Sequence, residues 1–238
     1  MSTSTADMRP SAGLGSSPQF WEFLWRSAGL QSAGLFILAY FVYGAQPHVG
    51  ASPEVLAAFY QGERARILIA AVIAGFAVLN LMWFAAALRA TLAEVGQDGW
   101  GAAATAASAA LGGVLILLIS VSAGLAYSVA GTASPAFAGA LNDFAWAGIV
   151  VSSFPRAMLA MAAAFGLWRG GLISNRLFTV GVAVVVLLLL GGTTWVRGGF
   201  WAADGVFSRT VSPLIGLLWI LVVSRVLLGR RSSSRAAW

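Results

Sequence analysis

Pro155 and Arg156 stand in the stretch Val151-Ser-Ser-Phe-Pro-Arg-Ala-Met-Leu-Ala160, inside what otherwise reads as an apolar helix. An arginine stays charged at physiological pH, and near a bilayer centre it costs about 2.5–3.5 kcal/mol on insertion scales. It must therefore face a helix bundle, a wet cavity or a bound anion. Pro155 supplies local partners, because it has no N–H and its ring clashes with the carbonyl four residues earlier, at Val151. Ser152 and Ser153 can help satisfy the carbonyls freed there, and the partners left to the guanidinium are those carbonyls, a polar helix face such as Asn80, water or a molecule outside the sequence. A second geometry is open: Ser153-Phe-Pro-Arg starts a new helix, 134–153 lies on the outer surface, and Arg156 sits at an interface where a cation is cheap. Against it, residues 156–168 rise only about 20 Å, short of a hydrocarbon core of about 30 Å.

Asn80 and Trp83, three apart, share one face of a neighbouring apolar segment, and Trp219 and Trp83 lie deep enough to line an apolar pocket. With Arg156, Ser152 and Ser153 they form the candidate ligand set. Glu63 and Asp143 are the carboxylic acids placed to donate a proton to a lipophilic substrate, should Arg156 stabilise developing negative charge. Other chemistry is excluded by residue type. There is no lysine for a retinal Schiff base, no cysteine for thiolate metal sites, disulfides or a thiol nucleophile, and a single histidine, His48, in a predicted loop. No metal site and no cofactor is expected, although a lipid, quinone or pigment could be held non-covalently. Ion-coupled transport usually needs intramembrane carboxylates, whereas Glu22, Glu54, Glu63, Glu94, Asp98, Asp143 and Asp204 all fall at segment ends or in loops. No P-loop and no G-x-S-x-G elbow is present.

The elements that must position these residues follow from composition. Of 238 residues 59% are hydrophobic and 9% charged, with a mean hydropathy of +0.85, where soluble domains carry about a quarter charged residues. The fold class is therefore all-α: a polytopic transmembrane helix bundle in one domain, 19–229, with spans about 27–45, 67–88, 104–128, 144–168, 177–193 and 211–228. Residues 1–18, rich in Ser, Thr, Gly and Pro, read as a disordered tail, and Phe20, Trp21 and Trp25 as interfacial anchors. Ser52 to Tyr60 reads as a short extracytoplasmic surface helix with Ser52 as N-cap, Pro53 at its first position and Gly62 at its end. The run GAAATAASAALGG at 101–113 and the pair Gly166 and Gly170 are small-residue faces that let helices approach closely. Trp100, Trp146, Trp168, Trp195 and Trp201 read as interfacial belts.

All fourteen cationic residues are arginines, scattered among eight acids, so the net charge of +6 is no nucleic-acid footprint. Most fall on one face of a six-span arrangement: Arg9, Arg26, Arg89, Arg169, Arg176, Arg225 and the basic tail 230–238. Arg64, Arg66, Arg197 and Arg209 fall on the other. The positive-inside rule then puts both termini in the cytoplasm. No internal repeat relates the two halves, so an inverted-repeat transporter gains no support.

The region Phe59-Tyr60, then Arg64-Ala-Arg66-Ile-Leu-Ile-Ala on to Leu88-Arg89, followed by a short loop and further spans, resembles bacterial six-pass integral membrane families of unknown function. The likeness is one of layout over about 200 residues. It implies a bacterial cytoplasmic-membrane protein and assigns no catalytic residue. Two expectations stand beside each other. One is a helix bundle that binds a lipophilic or amphipathic molecule, or a membrane-protein partner or second copy, around Arg156. The other is an intramembrane isomerase or cyclase using Glu63 or Asp143, and a small-solute transporter follows behind both.

Overall fold

The computed structural model describes residues 23–129 and 134–235. The expected tail 1–18 and the anchors Phe20 and Trp21 lie outside the described residues. Among those described there are helices and no strand, with one isolated bridge between Val196 and Ala202. Eight α-helices follow in order: α1 Ala28–Tyr43, α2 Pro53–Gly62, α3 Arg64–Ala93, α4 Asp98–Gly124, α5 Pro135–Val151, α6 Ser153–Arg169, α7 Asn175–Gly191 and α8 Ser212–Arg235. A π-helical turn, Leu125–Val129, extends α4, and another, Phe207–Val211, leads into α8.

Helix ends follow from the residues there. Ser134 and Ser174 are extended N-cap residues whose hydroxyls accept from the amides of Phe137 and Leu177. Ser52 also occupies an N-cap position, but its side chain caps no amide; it bonds the Glu54 carboxylate instead and so lowers that group's pKa. Gly96 and Gly171, both at φ +69°, end α3 and α6 in left-handed turns, where Gln97 N–H returns to the Leu92 carbonyl and Leu172 N–H to that of Leu167.

Four helical stretches are long and apolar enough to cross a membrane: Arg64–Ala93, Asp98–Ser128, Pro135–Arg169 and Phe207–Gly229. Two shorter apolar helices, Ala28–Tyr43 and Asn175–Gly191, accompany them. These are the properties of an integral membrane helical protein. The helices form a ring in chain order: α1 packs on α3, α3 on α4, α4 on α6, α6 on α7, and α8 closes it between α7 and α1. The closing joints are the thinnest. Large apolar side chains face outward on every wall, Phe41, Phe76, Trp83, Leu117, Val186 and Leu218 among them.

The interior is built from small residues. A β-carbon added at Gly112 would lie 2.6 Å from Met82, and one added at Gly166 would lie 2.8 Å from Leu92 and 2.9 Å from Trp100. Ser108 donates to the Leu81 carbonyl, and Ser32 to that of Ala77. Lipid tails are as apolar as leucine, so this close approach, with its dispersion contacts and buried hydrogen bonds, holds the helices together. A second core, Leu56, Tyr60, Ile67, Leu125, Ala126 and Ala138, joins α2 to the nearby ends of α3, α4 and α5.

The fourth expected span differs most from expectation. Pro135–Arg169 is helical over 35 residues, about 52 Å, with an interruption at Ser152. Helix begins nine residues before the expected 144 because Ser134-Pro135 is a strong start signal, an N-cap with proline next. At the other end of the chain α8 runs past 228 to Arg235, so the backbone of the expected basic tail is helical to that point.

Candidate functional site at three helix interruptions

The interruption lies where Pro155 dictates. Ser152 keeps helical dihedrals, φ −60° and ψ −13°, so the chain kinks and continues. A separate helix does begin at Ser153, with only Ser152 between it and the end of α5, and the two together make a run long and apolar enough to cross a membrane. The guanidinium of Arg156 then folds back along its own chain. Its Nε donates to the Ser152 carbonyl at 3.2 Å, and its Nη2 reaches the Ile149 carbonyl at 3.0 Å, Ser152 Oγ at 2.9 Å and Ser153 Oγ at 3.1 Å. Ser152 Oγ itself donates to the Ile149 carbonyl at 2.6 Å. Arg156 thus caps the carboxyl end of α5, where free carbonyls and the helix dipole favour a cation. None of these contacts uses Nη1, and no acidic side chain takes part.

Two further helix ends meet this one. A β-carbon added to Gly191, the last residue of α7, would lie 2.7 Å from Ser212 Oγ and 2.8 Å from Ser153 Oγ. Ser212 is the first residue of α8, just after the π-helical turn, a feature common at functional sites. Thr194, fully buried, returns its hydroxyl to the Gly191 carbonyl at 2.9 Å. The ends of α5, α7 and the start of α8 therefore lie together, with Ser152, Ser153, Thr194, Ser208 and Ser212 all buried around them. One turn into α8, a β-carbon at Gly216 would be 3.9 Å from Arg156 Cδ. A further turn on, the Trp219 indole and Ala164 of α6 both lie against Gly181 of α7. Two polar atoms of this seam have no hydrogen-bond partner: Ser212 Oγ, in a residue 0% exposed, and Trp219 Nε1, in a residue 4% exposed.

Of the sequence-derived ligand set, the structure gathers Arg156, Ser152 and Ser153 directly and places Trp219 on the same seam. Asn80 and Trp83 do not join them. Asn80 Nδ2 donates to the Phe76 carbonyl of its own helix, and Trp83 is 56% exposed on the outer wall. Helical spacing correctly puts the two on one face, but that face points away from the bundle.

The two candidate acids also stand apart from Arg156. Glu63 Oε2 lies 3.4 Å from Arg66 Nε, and Asp143 accepts from Gly50 N–H at 3.0 Å, about 20 Å along the helix from Arg156. Asp143 belongs instead to a polar knot that sequence reasoning passed over. Asn142, fully buried, accepts from Tyr60 Oη at 2.9 Å and donates to the His48 carbonyl at 3.1 Å, while Trp146 Nε1 donates to that of Pro47 at 2.8 Å. Trp146 is therefore a buried tie and not a belt residue. Its signal was the pair Asn142-Asp143 inside an apolar helix, which demands partners. The knot fixes the α1–α2 connection, and Val49 N–H adds a bond to Asp204 across to the α7–α8 connection. Among the described residues no three His, Asp or Glu side chains are grouped to hold a metal ion.

Comparison with protein-family models, curated proteins and solved structures finds no match for this chain.

Proposed function

We propose that this is a six-span membrane helix bundle, both termini cytoplasmic, that binds a lipophilic or amphipathic molecule at the Arg156 seam between α6, α7 and α8. The observation that carries the proposal is a guanidinium held by its own broken turn with Nη1 left over. Arginine offers five N–H donors in a fixed fork, and holding Nε and Nη2 in place presents Nη1 in a set direction. Such pre-organisation lowers the entropy lost on binding.

The six spans are α1, α3, α4, the α5–α6 pair, α7 and α8. The 16 residues of α1 and 17 of α7 give about 24–26 Å of helix each. One further helical turn, 23–26, precedes α1, and bilayer thinning or anchor residues accommodate a short span at modest cost. The arginine distribution supports the orientation, with Arg89, Arg169 and Arg176 at one end of the bundle and Arg64 and Arg66 at the other. Helix α2 then belongs to the outer end.

Purification in detergent followed by solvent extraction and mass spectrometry is the direct test. The wild-type protein should carry a lipophile that an Arg156→Gln variant of equal fold loses. Retention of the same molecule by that variant would remove Arg156 from binding.

A further inference from the structure

We propose that the bound molecule is a lipophile with an acceptor-only oxygen head, a carboxylate or a carbonyl, and that it enters from the bilayer by parting α7 from α8. This rests on the binding role proposed for Arg156. The head-group chemistry follows from what the seam offers. Trp219 Nε1 is a buried, unpartnered donor with no acceptor capacity, Ser212 Oγ is buried and unpartnered and can donate as well as accept, and the contacts that hold the Arg156 guanidinium leave Nη1 unused. The nearest carbonyls, Ile149 and Ser152, are already bonded by Arg156. An ammonium head would find the Ser212 hydroxyl as an acceptor but would lie beside the Arg156 cation, which repels it. Burial sharpens the point: a lone indole N–H or hydroxyl in an apolar interior is unfavourable, and an acceptor oxygen satisfies it.

The route follows from the packing. Helix α8 closes the ring through the thinnest joints, and at the seam it meets α7 through Gly191 beside Ser212 and through Gly181, over which the Trp219 ring is seated. The interruptions at Ser152, at Gly191 and before Ser212 lie at this same level. Parting the two helices therefore breaks no continuous helix and few contacts. It uncovers Ser212, Gly216 and Trp219, which lie on one face of α8.

The absence of cysteine permits a clean test. A β-carbon on Gly191 would be 3.3 Å from Ser212 Cβ, close to the separation a disulfide needs. The double variant Gly191→Cys with Ser212→Cys should lock the joint when oxidised and release it when reduced, so each protein is its own folding control. Binding is read by spin-label mobility with chain-end doxyl stearic acid, its methyl ester and the equally labelled stearyl amine. In the wild-type protein the acid or the ester should bind at least about tenfold more tightly than the amine, the size of one charge-assisted hydrogen bond. Acid alone would mark a carboxylate ligand, and acid and ester alike a carbonyl acceptor. Oxidation should slow uptake about tenfold or more, with reductant restoring it, and Trp219→Phe should weaken binding while keeping the ring.

Equal binding of amine and acid would overturn the head-group assignment. Equal uptake by oxidised and reduced protein would overturn the α7–α8 route while leaving the site in place. No saturable signal from any probe, in reduced variant and wild type alike, would remove the binding role itself.

Discussion

Arg156 shows how a permanent charge is held inside an apolar helical run by backbone carbonyls and hydroxyls, with no acidic side chain among its contacts. The cation is matched to the carbonyl dipoles of Ile149 and Ser152 at the carboxyl end of α5, beside the break that Pro155 introduces. Removing it exposes both. Arg156→Ala should destabilise the protein by about 1–3 kcal/mol, because the Ile149 and Ser152 carbonyls lose a charge-assisted donor. Arg156→Lys should fall between, since an ammonium cannot fork to two carbonyls in the same way. Thermal unfolding in detergent checks both, and an alanine variant as stable as wild type would sink the capping role. Tyr60 makes a separate case outside the spans. Burial raises its phenol pKa, and the neighbouring Tyr43 adds to the shift. Its contribution to stability is therefore intact below the ordinary value of about 10 and is lost as pH rises beyond that toward the folded value. Tyr60→Phe should be less stable than wild type at neutral pH, lacking the bond to Asn142, and should show a shallower alkaline loss of melting temperature. Parallel curves for the two proteins would contradict this.

At the scale of the helices, close approach is the main constraint. Gly166→Val should push α6 from α3 and α4, since Leu92 and Trp100 already stand within 3 Å of the missing β-carbon. A loss of about 1–3 kcal/mol is expected, measured by unfolding in detergent, while Gly113→Ala, where nothing lies within 4 Å, should be neutral or slightly stabilising. Much of this level was legible beforehand. Apolar length and flanking arginines give α3 almost at once, the small-residue run in α4 names the face that packs on α3, and proline marks the break near Ser152. What could not be read was direction. Asn80 and Trp83 have helical spacing, but spacing does not say whether a shared face meets protein or lipid. A membrane helix is apolar all round, so the usual polar-outward pattern is missing. Nor could the sequence reveal that Ser153, Gly191 and Ser212, far apart in the chain, come to one point. Asn142 was passed over for a related reason: polar residues near a span end read as surface, and only its partners from α2 and the 46–48 segment make it interior.

For the whole molecule, the six-span arrangement predicts sidedness. In a chain without cysteine, His48→Cys and Gly171→Cys each provide a single thiol. An impermeant thiol reagent added to intact cells should label His48→Cys and reach Gly171→Cys only after permeabilisation. Labelling of both from one side would exclude six spans, and the reverse pattern would invert the orientation. The ring order carries a consequence for biosynthesis. Because each wall packs chiefly on the wall made just before it, assembly can keep pace with translation, every new helix docking on a surface already in the membrane. Closure by α8 is then the last event. Until it arrives Arg156 is uncovered on that side, and Ser212 and Trp219 come only with α8, so in the proposed binding role a lipophile lying against Arg156 is enclosed as the final helix docks.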